Sequence, residues 1–366
     1  MEVMESPRYI RGFGVLNQLG DAAKEYGTRA LVVAGERAFS AVQGKVEASL
    51  AAAGLDYRVV IYKGFCSMVH IKKALIQAGD FAADLVIGIG GGTVIDASKK
   101  IAHDLGLPII TVPTIAATCA AWTPLSVMYD ECGAVTAEEW LSRSPKAVIA
   151  DTEVIMKAPV RYLVAGIGDS IAKWFEPSFV RQALDVKADC FLRSTLDLAK
   201  TAYEILSDNG EKAVEQCKAN KAGPELDAVI DVCIAVTGML SGMAGDAARF
   251  AVAHAFYNAF SALPLSHALL HGEVVTLGIL LQESLRNGDG GVADKELISF
   301  YSRMGLPTSW KGAGLRKLTE DELDLVVSRM EAGDSLTALR KLPLGVDLSA
   351  RRLKEAIAGM YHMHHQ

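Results

Sequence analysis

The chain lacks the features of several function classes. It has six cysteines, Cys66, Cys119, Cys132, Cys190, Cys217 and Cys233, and none of them forms a C-x-x-C pair. That spacing offers no zinc ribbon and no thioredoxin-type dithiol, and a chain of 366 residues is too long for a small disulfide scaffold. Basic runs are missing too. None exceeds the pairs "KK" and "RR", and the formal net charge is −6. Nucleic-acid and anionic-membrane partners are therefore not expected, because clustered Lys and Arg drive such binding. No window of about 18 residues is purely apolar, and "MEVMESPRYIRGFG" at the start has no apolar signal-peptide core. Internal repeats and low-complexity linkers are absent as well. These absences leave a reduced, cytoplasmic enzyme as the expectation; a small-molecule substrate and a homo-oligomer are expected beside it.

The composition that is present is globular, 51% hydrophobic and 22% charged, and its length exceeds what one core usually serves. Strand and helix signals alternate in the first half. "RALVVAG" (29–35), "YRVVIYKG" (57–64), "ADLVIGIGGG" (83–92) and "LPIITVPT" (107–114) read as strands, separated by helical stretches such as "VHIKKALIQAG" and "TVIDASKKIAHDLG". This alternation predicts a parallel sheet with helices on both faces. The nearly all-apolar "LVIGI" and "PIITV" suit strands covered on both sides. Beyond Pro159 long helical patterns dominate, among them "RYLVAGIGDSIAKWFEPS" and a run from Glu225 to Phe260. The expected division is an α/β nucleotide-binding domain over residues 1–159 and an all-helical, metal-binding domain over 160–366. The closing "YHMHHQ" reads as a surface tail, and His70 and His103 as surface residues without a motif.

Two stretches raise a chemical question. "GIGGGTVIDASKK" (88–100) ends a strand and opens a helix. Successive glycines let backbone N–H groups approach a phosphate, and the helix terminus adds positive potential. The stretch is neither G-x-G-x-x-G, since Val94 occupies the sixth place, nor a P-loop, and as a bare pattern it also fits a plain strand-to-helix turn. The second stretch, "AVAHAFYNAFSALPLSHALLHG" (251–272), sets His254, His267 and His271 among apolar residues. An unpaired imidazole in a core costs roughly 1–3 kcal/mol.

"GIGGGTVIDASK" followed by "PTIAATCAAWTPLSVMYD", "GIGDSIAKWFE", "AVAHAFYN" and "HGEVV" resembles the iron-containing, metal-dependent alcohol dehydrogenases, and within them the glycerol dehydrogenases and the hydroxycarboxylate dehydrogenase branch. The resemblance runs in order from "SPRYIRG" to residues 277–280. It implies a Rossmann-like domain, a helical domain and a cleft between them, the architecture shared with dehydroquinate synthase. It further implies that Gly90, Gly91, Gly92, Thr93 and Asp96 serve the cofactor's phosphates. Thr114, Thr118, Thr123, Leu125 and Tyr129 would line its nicotinamide half. Asp169, His254 and His271 would ligate a metal. Two imidazoles and a carboxylate form a usual catalytic Zn²⁺ set with one open position, and the same set holds Fe²⁺. Asp169 lies in an apolar stretch, where a buried charge asks for a cation. His267, four residues before His271 and expected on the same helical face, is open to three readings: ligand, hydrogen-bond partner or proton relay, and ordinary core histidine.

Departures from the family pattern bear on substrate and cofactor. Cys119 stands where glycerol dehydrogenases of this kind place a diol-binding Asp, and a thiol is a poor acceptor for hydroxyls. Lys173, one turn after Asp169, stands where many relatives carry a further histidine. A cation there suits a substrate carboxylate; pairing with Glu176 is the alternative. In "VAGERAF" Gly35 takes the place of a ribose-binding Asp, with Glu36 and Arg37 beside it. Glu36 suits a ribose diol and Arg37 a 2′-phosphate, and the balance favours NADP(H). The expected activity is NAD(P)- and metal-dependent interconversion of a small 2-hydroxy acid and its 2-oxo acid. A polyol dehydrogenase is the alternative, and a dehydroquinate synthase-like lyase or a silent homologue are remoter ones.

Overall fold

The structure, a computed structural model, describes residues 5–183, 189–243, 251–288 and 295–361. The histidine-rich end after Tyr361 lies outside the described residues. Eight strands follow in chain order: β1 (Arg8–Gly12), β2 (Arg29–Gly35), β3 (Asp56–Tyr62), β4 (Leu85–Gly90), β5 (Ile109–Pro113), β6 (Leu125–Tyr129), β7 (Val135–Trp140) and β8 (Ala147–Asp151). Six form one sheet in the order β1-β8-β5-β4-β2-β3, every pairing parallel, while β6 and β7 pair separately.

The four strands expected from the sequence are β2 to β5. Along β2 the side chains alternate between two cores. Ala30, Val32 and Ala34 pack with Leu16, Leu19, Val46 and Leu50 on one face. Leu31 and Val33 pack with Ile71, Ala97 and Ile101 on the other. A sheet covered on both faces needs strands apolar almost throughout, as β4, β2 beyond Arg29 and β5 apart from Thr111 are. Tight punctuation at the strand ends sets the turns. Ser67 caps the helix Met68–Ala78 by accepting the N–H of His70.

The chain divides into two compact units. The first comprises residues 1–131, 136–163 and 212–242, the second 132–135, 164–211 and 243–366. The expected single break at 159/160 is thus not how the units divide, because residues 212–242 pack with the α/β unit. The cause is polar as well as apolar. The Arg11 guanidinium on β1 meets Asp227 at 2.7 Å and Asp231 at 3.0 Å, and Tyr9 Oη donates to Asp231 at 3.0 Å. Thr152 Oγ1 donates to Asp227 at 2.8 Å. Gly238 passes so close to Trp122 that an added Cβ would lie 2.4 Å from its ring. The run Pro224–Met243 is long and apolar enough by length and composition to cross a membrane. More than half of it is buried, and of its three carboxylates Asp227 and Asp231 are tied to β1 and Thr152 while Glu225 accepts from Gln216, all within the unit. The run is also not one regular helix. A π-helical segment, Val232–Val236, separates Pro224–Asp231 from Thr237–Met243, so the long pattern expected from Glu225 to Phe260 is interrupted.

Asp231→Ala should therefore destabilise the α/β unit. Hydrogen bonds to a charged group contribute about 1.5–3 kcal/mol each, and three donor atoms lose their acceptor. Urea denaturation followed by far-UV circular dichroism should show the loss as an earlier midpoint; an unchanged midpoint contradicts the pinning role.

Candidate active site

Within the second unit three helices converge on one carboxylate. Asp169 lies in the helix Arg161–Val180, His254 in Val252–Phe260, and His271 is the first residue of His271–Arg286. Asp169 Oδ1 is 3.2 Å from His271 Nε2 and 3.6 Å from His254 Nε2. One ligand atom from each of the three residues lies within 4.8 Å of the others. The Asp169 carboxylate is buried, while both imidazoles keep some exposure.

Glycine makes this convergence possible. A Cβ on Gly272, next to His271, would lie 1.8 Å from the Ala165 carbonyl oxygen. One on Gly168, next to Asp169, would lie 2.5 Å from Thr276 Oγ1. One on Gly278 would lie 2.6 Å from the carbonyl oxygen of Ala253, the neighbour of His254. Thr276 Oγ1 in turn donates to the Gly272 carbonyl at 2.6 Å. Each ligand residue thus sits beside a point where two backbones nearly touch.

Glu176, two turns after Asp169 on the same helix, sets the state of His254. Its Oε1 lies 2.6 Å from His254 Nδ1 and accepts the His254 backbone N–H at 3.1 Å. An ionised carboxylate only accepts, so Nδ1 carries a hydrogen and Nε2 is the nitrogen left to ligate. Burial pulls the imidazole pKa down, but the Glu176 charge and the hydrogen bonds to Asp169 and Glu176 outweigh burial and the opposing charge of Lys173. The result is a pKa pushed up to about 9. Asp169 is also pulled two ways. Burial raises its pKa, and His271, His254 and then Lys173 bring it well below the usual carboxylate range. An ionised buried carboxylate facing two Nε2 atoms fits a divalent cation in chemistry and in spacing.

The first unit holds the glycine loop. Gly90 ends β4, Gly91 caps the helix Gly92–Asp104 in an extended conformation, and the hollow they edge is also lined by Pro113, Ile115, Ala117, Thr118 and Ala120. A Cβ on Gly91 would press on the Ile115 side chain at 2.7 Å. The hollow's floor is therefore bare backbone, and the first N–H groups of the helix have no partner within it. Thr114 N–H donates to the Gly90 carbonyl at 3.0 Å, fixing the strand ends together.

These geometries match a known group of enzymes. The family model described as iron-containing alcohol dehydrogenase matches residues 6–152. Hydroxycarboxylate dehydrogenase A of Escherichia coli (strain K12) is 34% identical over 327 residues, covering 89% of each chain. A glycerol dehydrogenase of Thermotoga maritima is 32% identical over 326 residues, covering 88% of this chain and 87% of its own. The crystal structure of a probable glycerol dehydrogenase from Sinorhizobium meliloti 1021 superposes with a TM-score of 0.84 at 26% identity, covering 98% of both chains. The chain belongs to the iron-containing alcohol dehydrogenase family. It is accordingly an oxidoreductase acting on small molecules, and the family implies NAD(H) and a metal ion.

As a member of the iron-containing alcohol dehydrogenases, the chain departs from its sequence reading in two places. His267 is exposed on the 3-10 turn Pro264–Ala268, and extended Leu269 and Leu270 separate that turn from the His271 helix. It does not share a helical face with His271, because the residues between them are not helical, and it stands outside the metal-ligand cluster found among the described residues. Asp96 is turned inward. Its carboxylate lies 2.9 Å from the Nζ of Lys99, a lysine only 1% exposed, which also donates to the carbonyls of Thr123, at 3.0 Å, and Leu125. Sequence reasoning missed Lys99 and the role of Glu176. The signal for the first is a lysine three residues after Asp96, and for the second a carboxylate seven residues after Asp169.

The remaining positions fall as follows. Thr93 is exposed at the start of the glycine-loop helix, and Thr123 is buried below Lys99. Leu125 and Tyr129 lie on β6, where the Tyr129 ring stacks on Phe65 at 6.0 Å. Cys119 is half-buried, its Sγ 3.9 Å from Ser241 Oγ. Gly35 caps the helix Glu36–Ala52, which places Glu36 and Arg37 in its first turn, both exposed.

A divalent ion must displace the His254 proton. Wild-type affinity for Zn²⁺ should therefore fall about tenfold per pH unit below the pKa of about 9. By the same linkage the proton stabilises the metal-free fold fully below an unfolded-state value of roughly 6.5, and that contribution disappears as pH rises through about 9. Chelator competition titrations across this range check the slope, and a pH-independent affinity contradicts it. Above the pKa, Glu176→Gln should still weaken Zn²⁺ binding about 10–100-fold, because the imidazole loses its orienting acceptor.

Proposed function

We propose that the chain interconverts a small 2-hydroxy acid and the corresponding 2-oxo acid by hydride transfer, using NADP(H) in preference to NAD(H). Lys173 is the observation that carries this reading. It lies one turn after Asp169, and its positive charge bears on both Asp169 and His254. A substrate carboxylate at the metal centre would meet that charge. A divalent ion, zinc or iron, held by Asp169, His254 and His271 would supply Lewis acidity to the reacting oxygen, and nicotinamide would supply or accept the hydride.

The protein's own groups do the positioning. Glu176 holds the hydrogen on His254 Nδ1 and so presents Nε2. The Tyr257 ring packs edge-on against the His271 imidazole with centroids 4.2 Å apart, which fixes the ring plane. Cys119, in the first unit, is a thiol where the glycerol dehydrogenases that the chain resembles carry a diol-binding carboxylate, so the acceptor a diol would use is missing. The relatives named hydroxycarboxylate dehydrogenase and glycerol dehydrogenase are nearly equal in identity to this chain. The second reading, a polyol dehydrogenase, has its own support in Ser241, whose hydroxyl beside Cys119 offers a polyol an acceptor.

Lys173→Met separates the two. Loss of a charge-assisted contact of about 1.5–3 kcal/mol should lower kcat/KM for 2-oxo acids by about one to two decades. Turnover of uncharged aldehydes and diols should change little. An equal loss on acids and diols would sink the carboxylate reading.

A further inference from the structure

The helix that carries Asp169 has a gap in its hydrogen-bond ladder where it carries Glu176. Pro177 lies inside Arg161–Val180, and a proline has no N–H to give to the carbonyl one turn back, that of Lys173. Beside that gap, side chains do the fastening. Ser178 Oγ donates to the Trp174 carbonyl at 2.5 Å from within the same helix. Gln282 Nε2 donates to the Phe175 carbonyl at 3.0 Å from the helix His271–Arg286.

Glutamine is an unfavourable occupant of that core position. Gln282 is fully buried, and a buried amide needs partners at both ends. Among the described residues its Oε1 has no hydrogen-bond partner. Besides Phe175, its Nε2 reaches Glu283 Oε1 at 3.5 Å. An apolar side chain of the same length would avoid the cost of the orphaned oxygen. What it would not supply is the bond to Phe175.

That bond closes a row of contacts between two helices. Ala165 meets Gly272, Gly168 meets Thr276, and Phe175 meets Gln282. The pairs advance together along both helices, so the two run parallel from the turn of His271 to Gln282. Asp169 and His271 meet near the start of the row. Glu176 follows Phe175 at its end and holds His254 twice, through the ring and through the backbone N–H. His254 belongs to a third helix, so its place beside Asp169 depends on where the Glu176 turn lies.

We propose that Gln282 is a positioning residue for the candidate metal centre. Its amide fastens the turn that Pro177 loosens, and so aims Glu176 at His254 Nδ1 and His254 Nε2 toward Asp169 Oδ1. The inference rests on the metal-binding reading of Asp169, His254 and His271, and adds to it a residue hydrogen-bonded to none of the three.

Full-length protein carrying Gln282→Met tests it, since methionine keeps the length and shape and removes both polar atoms. Chelator competition should show Zn²⁺ bound about tenfold more weakly than by the wild type. The urea midpoint of the metal-free protein should not fall, because the orphaned oxygen goes with the amide. A general prop for the core would lower that midpoint instead. In a Glu176→Gln background the same substitution should change Zn²⁺ affinity by less than about twofold, because the path through Glu176 is already cut. Pro177→Ala returns an N–H to the helix and should recover most of the affinity lost in Gln282→Met. Unchanged Zn²⁺ affinity in Gln282→Met, a full further loss on top of Glu176→Gln, no recovery with Pro177→Ala, or a midpoint that falls with the affinity would each overturn the positioning role while leaving the metal-binding reading intact. A Gln282→Met protein that does not fold counts as the last of these. Wild-type protein that binds no Zn²⁺ would overturn both.

Discussion

The second unit depends on one buried carboxylate held where three helices come within van der Waals reach. Asp169 cannot be solvated there, and burying it unpaired would cost several kcal/mol. Its neighbours are arranged around that constraint. Gly168, Gly272 and Gly278 remove the side chains that would hold the helices apart. The imidazoles of His254 and His271 then arrive from two directions, and Glu176 backs one of them from behind. Replacing any of the three glycines with a larger residue would act on the geometry of the candidate ligands without touching one of them. The same close packing explains why the stretch around His254 reads as core although it carries polar rings.

Much of the first unit was legible in the sequence, because β2, β4 and β5 are short and apolar almost throughout, β3 ends in an apolar run over 59–62, and the helices between them are long enough to count. The separate pair β6 and β7 escaped that reading, and so did two strands of the six-stranded sheet. β1, "RYIRG", carries two arginines and lies at the sheet's edge, and β8 pairs with it from far along the chain. Neither shows a periodicity that five residues can display. The assignment of residues 212–242 to the α/β unit was equally invisible, since it rests on Asp227 and Asp231 meeting β1 and on Gly238 meeting Trp122. Such contacts join distant positions and leave no local pattern.

At the candidate metal centre the resemblance to the family pointed to the three ligand positions, and the structure gathers those side chains. What it could not anticipate is how the chain turns between His254 and His271. Helical spacing put His267 with His271, but Pro264 starts a 3-10 turn and two extended leucines follow, so periodicity ends before His271 begins its own helix. Glu176 was visible only as a possible partner of Lys173. Its engagement with His254 follows from the heptad-like interval to Asp169, which brings both carboxylates to one face of a single helix.

The buried Lys99 has a consequence for how the first unit meets a ligand. Its ammonium, stripped of water, is held by Asp96 and by the carbonyls of Thr123 and Leu125, and Ser126 Oγ donates back to the Asp96 carbonyl at 2.9 Å. The segment after the glycine loop is thereby riveted to the glycine-loop helix before any cofactor arrives. Desolvating that lysine was settled during folding, so a dinucleotide docking at this candidate site would meet a preorganised wall and lose little affinity to loop ordering. The rigidity of this candidate cofactor site is in this sense a folding property, carried by a residue that need never touch a cofactor.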